Sequence, residues 1–144
     1  MRVLICGGRD FNNFDQVKKV MDEIHAKTPV ELVISGKACG ADSLGEKWAI
    51  ENNIPVDPYP ANWNDHGKAG GPIRNQQMLD EGKPDLVVAF HGGNGTRDMI
   101  NRSKRANVEV VEISKEILQE PVLQNKIRFG ILKKSVDYFV KEPR

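Results

Sequence analysis

The chain has 144 residues, the usual size of one domain, and a chain of this length buries about two thirds of its unfolded surface around a single core. It is 39% apolar and 28% charged, with 21 basic and 20 acidic residues and a formal charge of +1, a balance that gives no support to non-specific binding of nucleic acid or membrane surfaces. Two cysteines, Cys6 and Cys39, are too few for a disulfide framework and lack redox or metal spacing, so a reducing compartment and a cytoplasmic location are expected.

Val3 to Cys6 is a short apolar run rich in branched residues, as in a strand buried on both faces. It stops at Gly7, far short of a signal-peptide core or a membrane span, and reads as the first strand of the fold. Val17, Val20, Met21 and Ile24 then recur at helical spacing, which predicts a helix from about Phe14 to Ala26 capped by Asn12 or Asn13. The unit repeats, with Leu32 to Ile34 as a strand broken by Ser35-Gly36, and Ala41 to Asn53 as a helix with Trp48 on its apolar face.

A third strand around Val56 to Tyr59 is bracketed by Pro55, Pro58 and Pro60, which places it at an edge. Ala61 to Pro72 reads as a long polar loop and Ile73 to Glu81 as a helix. Asp85 to Phe90 is the clearest buried strand, followed by a helix from about Thr96 to Ala106 and a last strand from Val108 to Ile113. This order predicts an α/β protein, a Rossmann-like three-layer α/β/α fold around a mainly parallel five-stranded sheet with right-handed crossovers.

One nucleotide-binding domain is therefore expected over 1–113, with 114–144 as an extension that packs on the domain or on a partner subunit. Leu123, Ile127, Ile131 and Val136 can line one face of a helix there, although Ile127 to Ile131 also reads as extended. A homo-oligomer, a dimer first of all, is the expected assembly.

In a parallel sheet the loops leaving the carboxyl ends of the strands share one rim, and here those loops carry the glycines. The candidate ligand-binding residues are Gly7, Gly8, Arg9 and Asp10 after the first strand, Ser35, Gly36 and Asp42 after the second, Trp63, Arg74 and Asn75 after the third, and Gly92, Gly93, Asn94, Gly95 and Thr96 after the fourth. Backbone N–H groups reach phosphate oxygens where no Cβ intervenes, and a following helix adds its unpaired N–H groups and positive end. Gly92 to Thr96 is the strongest anion site on that reasoning. Arg74 offers a guanidinium fork to an anion, Asn75 can bond a base or ribose, and Trp63 can stack on a base.

Asp42 either caps its helix or faces the ligand, and Asp98 either favours its helix dipole or binds ribose hydroxyls and acts in acid–base chemistry. The chain carries no Walker loop and no full G-x-G-x-x-G, so neither ATP hydrolysis nor hydride transfer is supported. The three histidines have no metal spacing, and no metal or cofactor is expected.

Taken together, Cys6-Gly7-Gly8-Arg9-Asp10-Phe11, Ser35-Gly36 with Gly40-Ala41-Asp42, Pro60-Ala61-Asn62-Trp63, Ala69-Gly70-Gly71-Pro72-Ile73-Arg74-Asn75 and Phe90 to Met99 resemble the YspA/cpYpsA-related branch of the SLOG superfamily. That superfamily is related to the LOG phosphoribohydrolases and to the DNA-processing DprA fold. The resemblance covers about Met1 to Ile113 and implies a Rossmann-like sheet with a nucleotide-derived ligand, in a sensor, a sequestering protein or a nucleotide-processing enzyme. Catalytic relatives cleave the N-glycosidic bond of a nucleoside monophosphate with an arginine after the third loop and a glutamate in P-G-G-x-G-T-x-x-E. Arg74 matches the arginine, whereas Met99 stands at the glutamate and His91 at the proline.

If the resemblance extends to catalysis, Arg74 and the Gly92 to Thr96 loop hold the 5′-phosphate while Asp98 stabilises an oxocarbenium-like ribose and positions water. The rival expectation is binding without turnover, which the methionine at 99 favours. DNA binding in the manner of DprA is a third reading, and the near-neutral charge makes nucleic acid the least expected partner.

Overall fold

The computed structural model describes residues 1–114, so the extension expected beyond Ile113 lies almost wholly outside the described residues. Five strands form one sheet: β1 (Arg2–Cys6), β2 (Leu32–Ser35), β3 (Val56–Pro58), β4 (Leu86–Ala89) and β5 (Glu109–Glu112). Every pairing is parallel and the order across the sheet is β3-β2-β1-β4-β5. The register sets Val3 beside Val33 and Leu86, and Leu4 beside Ile34 and Val87. The central strands are apolar without alternation because both of their faces are covered.

Side-chain alternation along each strand splits the core in two. Val3, Ile5, Val33, Leu86 and Val88 face α1 (Phe14–Lys27) and α2 (Ala41–Glu51), whose Val17, Val20, Met21, Ile24 and Trp48 complete that layer. Leu4, Cys6, Ile34, Val87 and Ala89 face the other way, against Met78, Leu79, Met99 and Ile100. The last two belong to α5 (Asn94–Arg105), so helices cover both faces and the fold is a Rossmann-like α/β/α sandwich. Trp48 is fully buried, with its indole N–H donating to Asp22 Oδ1 at 2.9 Å, so its polar edge is satisfied at the margin of the core.

Local chemistry sets the element boundaries. Asn13 caps α1, its side chain accepting from Gln16 N at 3.0 Å. At β3 the prolines confine the strand to three residues at the sheet edge, where a missing N–H breaks no ladder.

The stretch 61–72 departs from expectation. It is not a loop but a run of helical turns: α3 (Trp63–His66), a 3₁₀ turn (Gly67–Ala69) and the start of α4 (Gly70–Gln77). Pro72 sits in the first turn of α4, where an N–H would have no intrahelical partner, and Asn62 caps α3 by accepting from Asp65 N at 3.0 Å. The helix expected from Ile73 to Glu81 likewise changes character, passing from α4 into a wider π turn (Met78–Gly82) that ends at Lys83 in the left-handed region.

Candidate functional site

The chain leaves β1 for α1 on one face of the sheet and leaves β4 for α5 on the other, although β1 and β4 are neighbours. The two exits diverge and open a crevice at the carboxyl edge, the place where open α/β sheets take ligands. A cleft of about 630 Å³ occupies that edge. Its walls come from the β1 exit, the loop after β2, the α3–α4 segment and the first turns of α5.

Of the residues expected there, Gly7, Gly8, Arg9, Asp42, Trp63, Arg74, Asn75, Gly93, Asn94, Gly95, Thr96 and Asp98 do line the cleft. Asp10 and Gly92 line a neighbouring cavity instead. Ser35 turns away, its hydroxyl donating to Glu46 Oε2 at 2.5 Å and accepting from Lys37 N at 3.1 Å. Gly36 stands behind the cleft wall, where its missing side chain gives room to Arg74.

The anion-binding potential concentrates at the N-terminus of α5. Gly93 precedes this helix with no side-chain cap, the first turn holds no acidic residue, and Arg102, Lys104 and Arg105 sit in its last turn. The positive end of the helix therefore meets the cleft with no acidic residue in its own first turn. A Cβ added at Gly93 or Gly95 would meet nothing within 4 Å, and neither glycine has positive φ. Among the described residues nothing requires glycine at 95, which costs a helix roughly 0.5–1 kcal/mol relative to alanine.

Arg74 projects from α4 across the carboxyl end of β2. Its Nη1 donates to the Gly36 carbonyl and its Nε to Asn75 Oδ1 at 3.2 Å. Asn75 is buried and passes the link on, donating Nδ2 to Asp98 Oδ2 at 3.0 Å and to Gly95 O at 3.3 Å. Arg102 Nε closes on the same Asp98 oxygen at 2.8 Å, and its Nη1 donates to Gln76 Oε1 at 2.9 Å. The network pins α4 to α5, and the Asn75 amide serves it.

Burial pushes the Asp98 carboxyl up, but the bonds from Arg102 and Asn75 outweigh it and hold the group below its ordinary value. Asp98 is therefore a fixed anion. It pairs with Arg102 one turn on.

Asp42 behaves in the opposite way. It does not cap α2; its Oδ2 accepts from Ala38 N at 3.1 Å and closes the loop between β2 and the helix. Burial raises its carboxyl to about 6, against the opposing pull of the Ala38 N–H and the nearby Arg74 guanidinium. The same burial lowers Arg74, which Asp42 offsets. Asp42 is the group in this cleft whose charge changes close to neutral pH.

Trp63 lies at the cleft mouth, 45% exposed, with the Arg9 guanidinium 5.4 Å from its ring centroid. A Cβ at Gly70 would come within 3.0 Å of this ring, so the indole rests on the first turn of α4.

Several contributors were not singled out from the sequence. Cys6 and Met78 help line the cleft, and burial raises the Cys6 thiol far above its usual range, which leaves no thiolate nucleophile. Arg102 was also missed, although its spacing of four from Asp98 was a legible signal. Among the described residues no group of three or more His, Cys, Asp or Glu side chains could hold a metal ion, and no helix is long and apolar enough to cross a membrane.

Comparison with known proteins gives three findings. A family model described as the YspA, cpYpsA-related SLOG family matches residues 1–66. The Gene 61 protein of Mycobacterium phage D29 is 32% identical over 118 residues, spanning 76% of this chain and 94% of that protein. Among solved structures, DNA processing protein A (DprA) from Streptococcus pneumoniae superposes with a TM-score of 0.65 at 16% identity, over 92% of this chain and 59% of that one. DprA from Helicobacter pylori, described for its single-stranded DNA binding mode, gives 0.60 at 15%, over 90% and 72%. The chain thus spans about three fifths of the S. pneumoniae protein, and at these identities the likeness is one of fold.

Proposed function

Because the chain belongs to the YspA, cpYpsA-related SLOG family, we propose that its carboxyl-edge cleft binds a phosphorylated nucleotide or a nucleotide-derived ligand, and that the protein acts as a sensor or a sequestering protein. The observation that carries this reading is the uncapped N-terminus of α5, with Gly93 and Gly95 leaving its N–H groups open to the cleft. Arg74 supplies a guanidinium to the same anion, and Trp63 offers a ring face to a base.

The test is incubation of the purified protein with nucleoside monophosphates, NAD-derived and cyclic nucleotides, followed by mass spectrometry of the solution and of ligand released on denaturation. An intact nucleotide released only on denaturation supports the binding reading. No retained nucleotide from the whole panel would remove it.

A second reading, hydrolysis of the N-glycosidic bond of a nucleoside 5′-monophosphate, is favoured by one observation: Asp98 lines the cleft as a carboxylate held ionised by Asn75 and Arg102. A fixed anion there suits stabilisation of an oxocarbenium-like ribose and orientation of the attacking water. Met99, at the position of the catalytic relatives' glutamate, is a buried core residue and favours binding over turnover. Free base plus ribose phosphate in the same experiment would establish the hydrolase. Single-stranded DNA is a third candidate, brought by the likeness to DprA, and an affinity that disappears with modest added salt would mark it as non-specific.

A further inference from the structure

Beside the main cleft lies a second cavity of about 580 Å³, lined among the described residues by the loops that leave β1 and β4. The two cavities share Gly8, Arg9 and Gly93 and part where Gly8 meets Gly92. At that seam Gly8 N donates to His91 O at 3.0 Å, and a Cβ on Gly92 would stand 2.6 Å from Gly8 N. The divide is backbone with the Thr96 side chain set against it, since the same Cβ would also run into Thr96 Oγ1, and Arg9 borders both sides.

The chemistry of the two sides differs. The main cleft offers Arg74 and a helix N-terminus, which suit an anion, and its two carboxylates are already bonded, Asp42 to Ala38 N and Asp98 to Asn75 and Arg102. The second offers the exposed Asp10 carboxylate, the Asn12 amide and the Phe11 ring, itself backed by Phe90 at a centroid distance of 5.3 Å. A carboxylate accepts hydrogen bonds and donates none, so it repels phosphate and receives hydroxyls. An aromatic face beside it suits the apolar face of a sugar ring.

We propose that this second cavity is a subsite for a hydroxyl-rich, uncharged group joined to the ligand's phosphate across the Gly8–Gly92 seam, so that the ligand class is a nucleoside diphosphate conjugate and not a mononucleotide. This rests on the nucleotide reading of the α5 N-terminus. Arg9, on the border, meets the linking phosphates, and Asp10 receives the hydroxyls beyond them.

The test is calorimetric titration of the full chain with the 5′-monophosphates of adenosine, guanosine, cytidine and uridine, each beside the matching nucleoside diphosphate sugar. For a base whose monophosphate binds, the conjugate is expected to bind at least about tenfold tighter, the scale of a charge-assisted hydrogen bond. In Asp10→Ala the ratio of the two affinities falls toward one. A conjugate no tighter than its monophosphate overturns the subsite and leaves the anion site standing. A tighter conjugate whose advantage survives Asp10→Ala also overturns it, because the gain then arises elsewhere. If neither ligand class binds for any base, the nucleotide reading itself fails and takes the subsite with it.

Discussion

Gly36 and Arg74 are packed so closely that an alanine Cβ at position 36 would lie 2.5 Å from Arg74 Nη1 and 3.0 Å from Asp42 Oδ2. The glycine is therefore what lets the guanidinium reach the Gly36 carbonyl and stand beside Asp42 at the cleft wall. A residue that touches no ligand in this arrangement sets the position of the one cation aimed at the anion site from α4.

Gly36→Ala is expected to weaken binding of the cleft's anionic ligand by about tenfold and to lower stability by about 1–3 kcal/mol, since the displaced guanidinium also gives up its bonds to the Gly36 carbonyl and to Asn75 Oδ1. The clash falls on the end of a flexible side chain, and residue 36 is not in the left-handed region, so the backbone accepts alanine. A displaced guanidinium loses one or more charge-assisted bonds, each worth roughly 1.5–3 kcal/mol. Calorimetric titration beside thermal unfolding separates the two effects. Unchanged affinity would show that Arg74 does not contact the ligand.

Asn75→Ala is expected to destabilise the protein by about 1–3 kcal/mol, since it removes a buried amide that serves Arg74, Asp98 and Gly95 together. Urea unfolding measures it, and a double-mutant cycle with Asp98→Ala should show non-additivity because both residues belong to one network. Additive losses would mean that the Asn75–Asp98 bond carries no coupling of its own.

Much of this arrangement was legible in the residues, and the exceptions have physical causes. Val3 to Cys6 and Leu86 to Ala89 read as buried strands because no polar residue interrupts them, and Asn13 announced the start of α1. The stretch around Gly70-Gly71-Pro72 read as loop because those residues have poor helix propensity. The indole of Trp63 packs onto Gly70 and Gly71, a tertiary contact that outweighs the propensity. Ser35 was legible as a rim residue but not in its direction, since its partner Glu46 lies eleven positions away on α2. The bond from the Asn75 amide to Asp98 was not legible, because nothing in the local sequence shows that α5 brings the two residues together.

Trp63→Ala is expected to reduce nucleotide affinity by about tenfold and also to lower unfolding stability, because the packing of the indole on Gly70 and Gly71 is lost. The ring is 45% exposed and stacking of a base on an aromatic face is worth roughly 1–3 kcal/mol. Loss of the ring also frees Arg9 from its cation–π contact, so Trp63→Phe, which keeps a face for both, should retain most of the affinity. Equal affinity in all three proteins would place the base elsewhere in the cleft.

The pH dependence of stability should carry the signature of Asp42. Its carboxyl, raised to about 6 in the folded protein from an ordinary 3.8, binds its proton more tightly folded than unfolded. Protonation thus favours the folded state: Asp42 penalises folding above about pH 6, and the penalty is relieved as pH falls toward 4. A shift of about two pH units corresponds to roughly 3 kcal/mol. Asp98, held low by Arg102 and Asn75, acts in the opposite sense and loses its contribution as the medium turns acidic, so the parent profile alone mixes the two. Asp42→Asn isolates the first, because its amide oxygen can still accept from Ala38 N while no charge is buried beside Arg74 and Glu46. Urea unfolding of both proteins at pH 4.5 and 7.5 should show the variant gaining stability over the parent at pH 7.5 by about 2–3 kcal/mol more than at pH 4.5. A constant difference at the two pH values would mean that Asp42 titrates alike in the folded and unfolded chains.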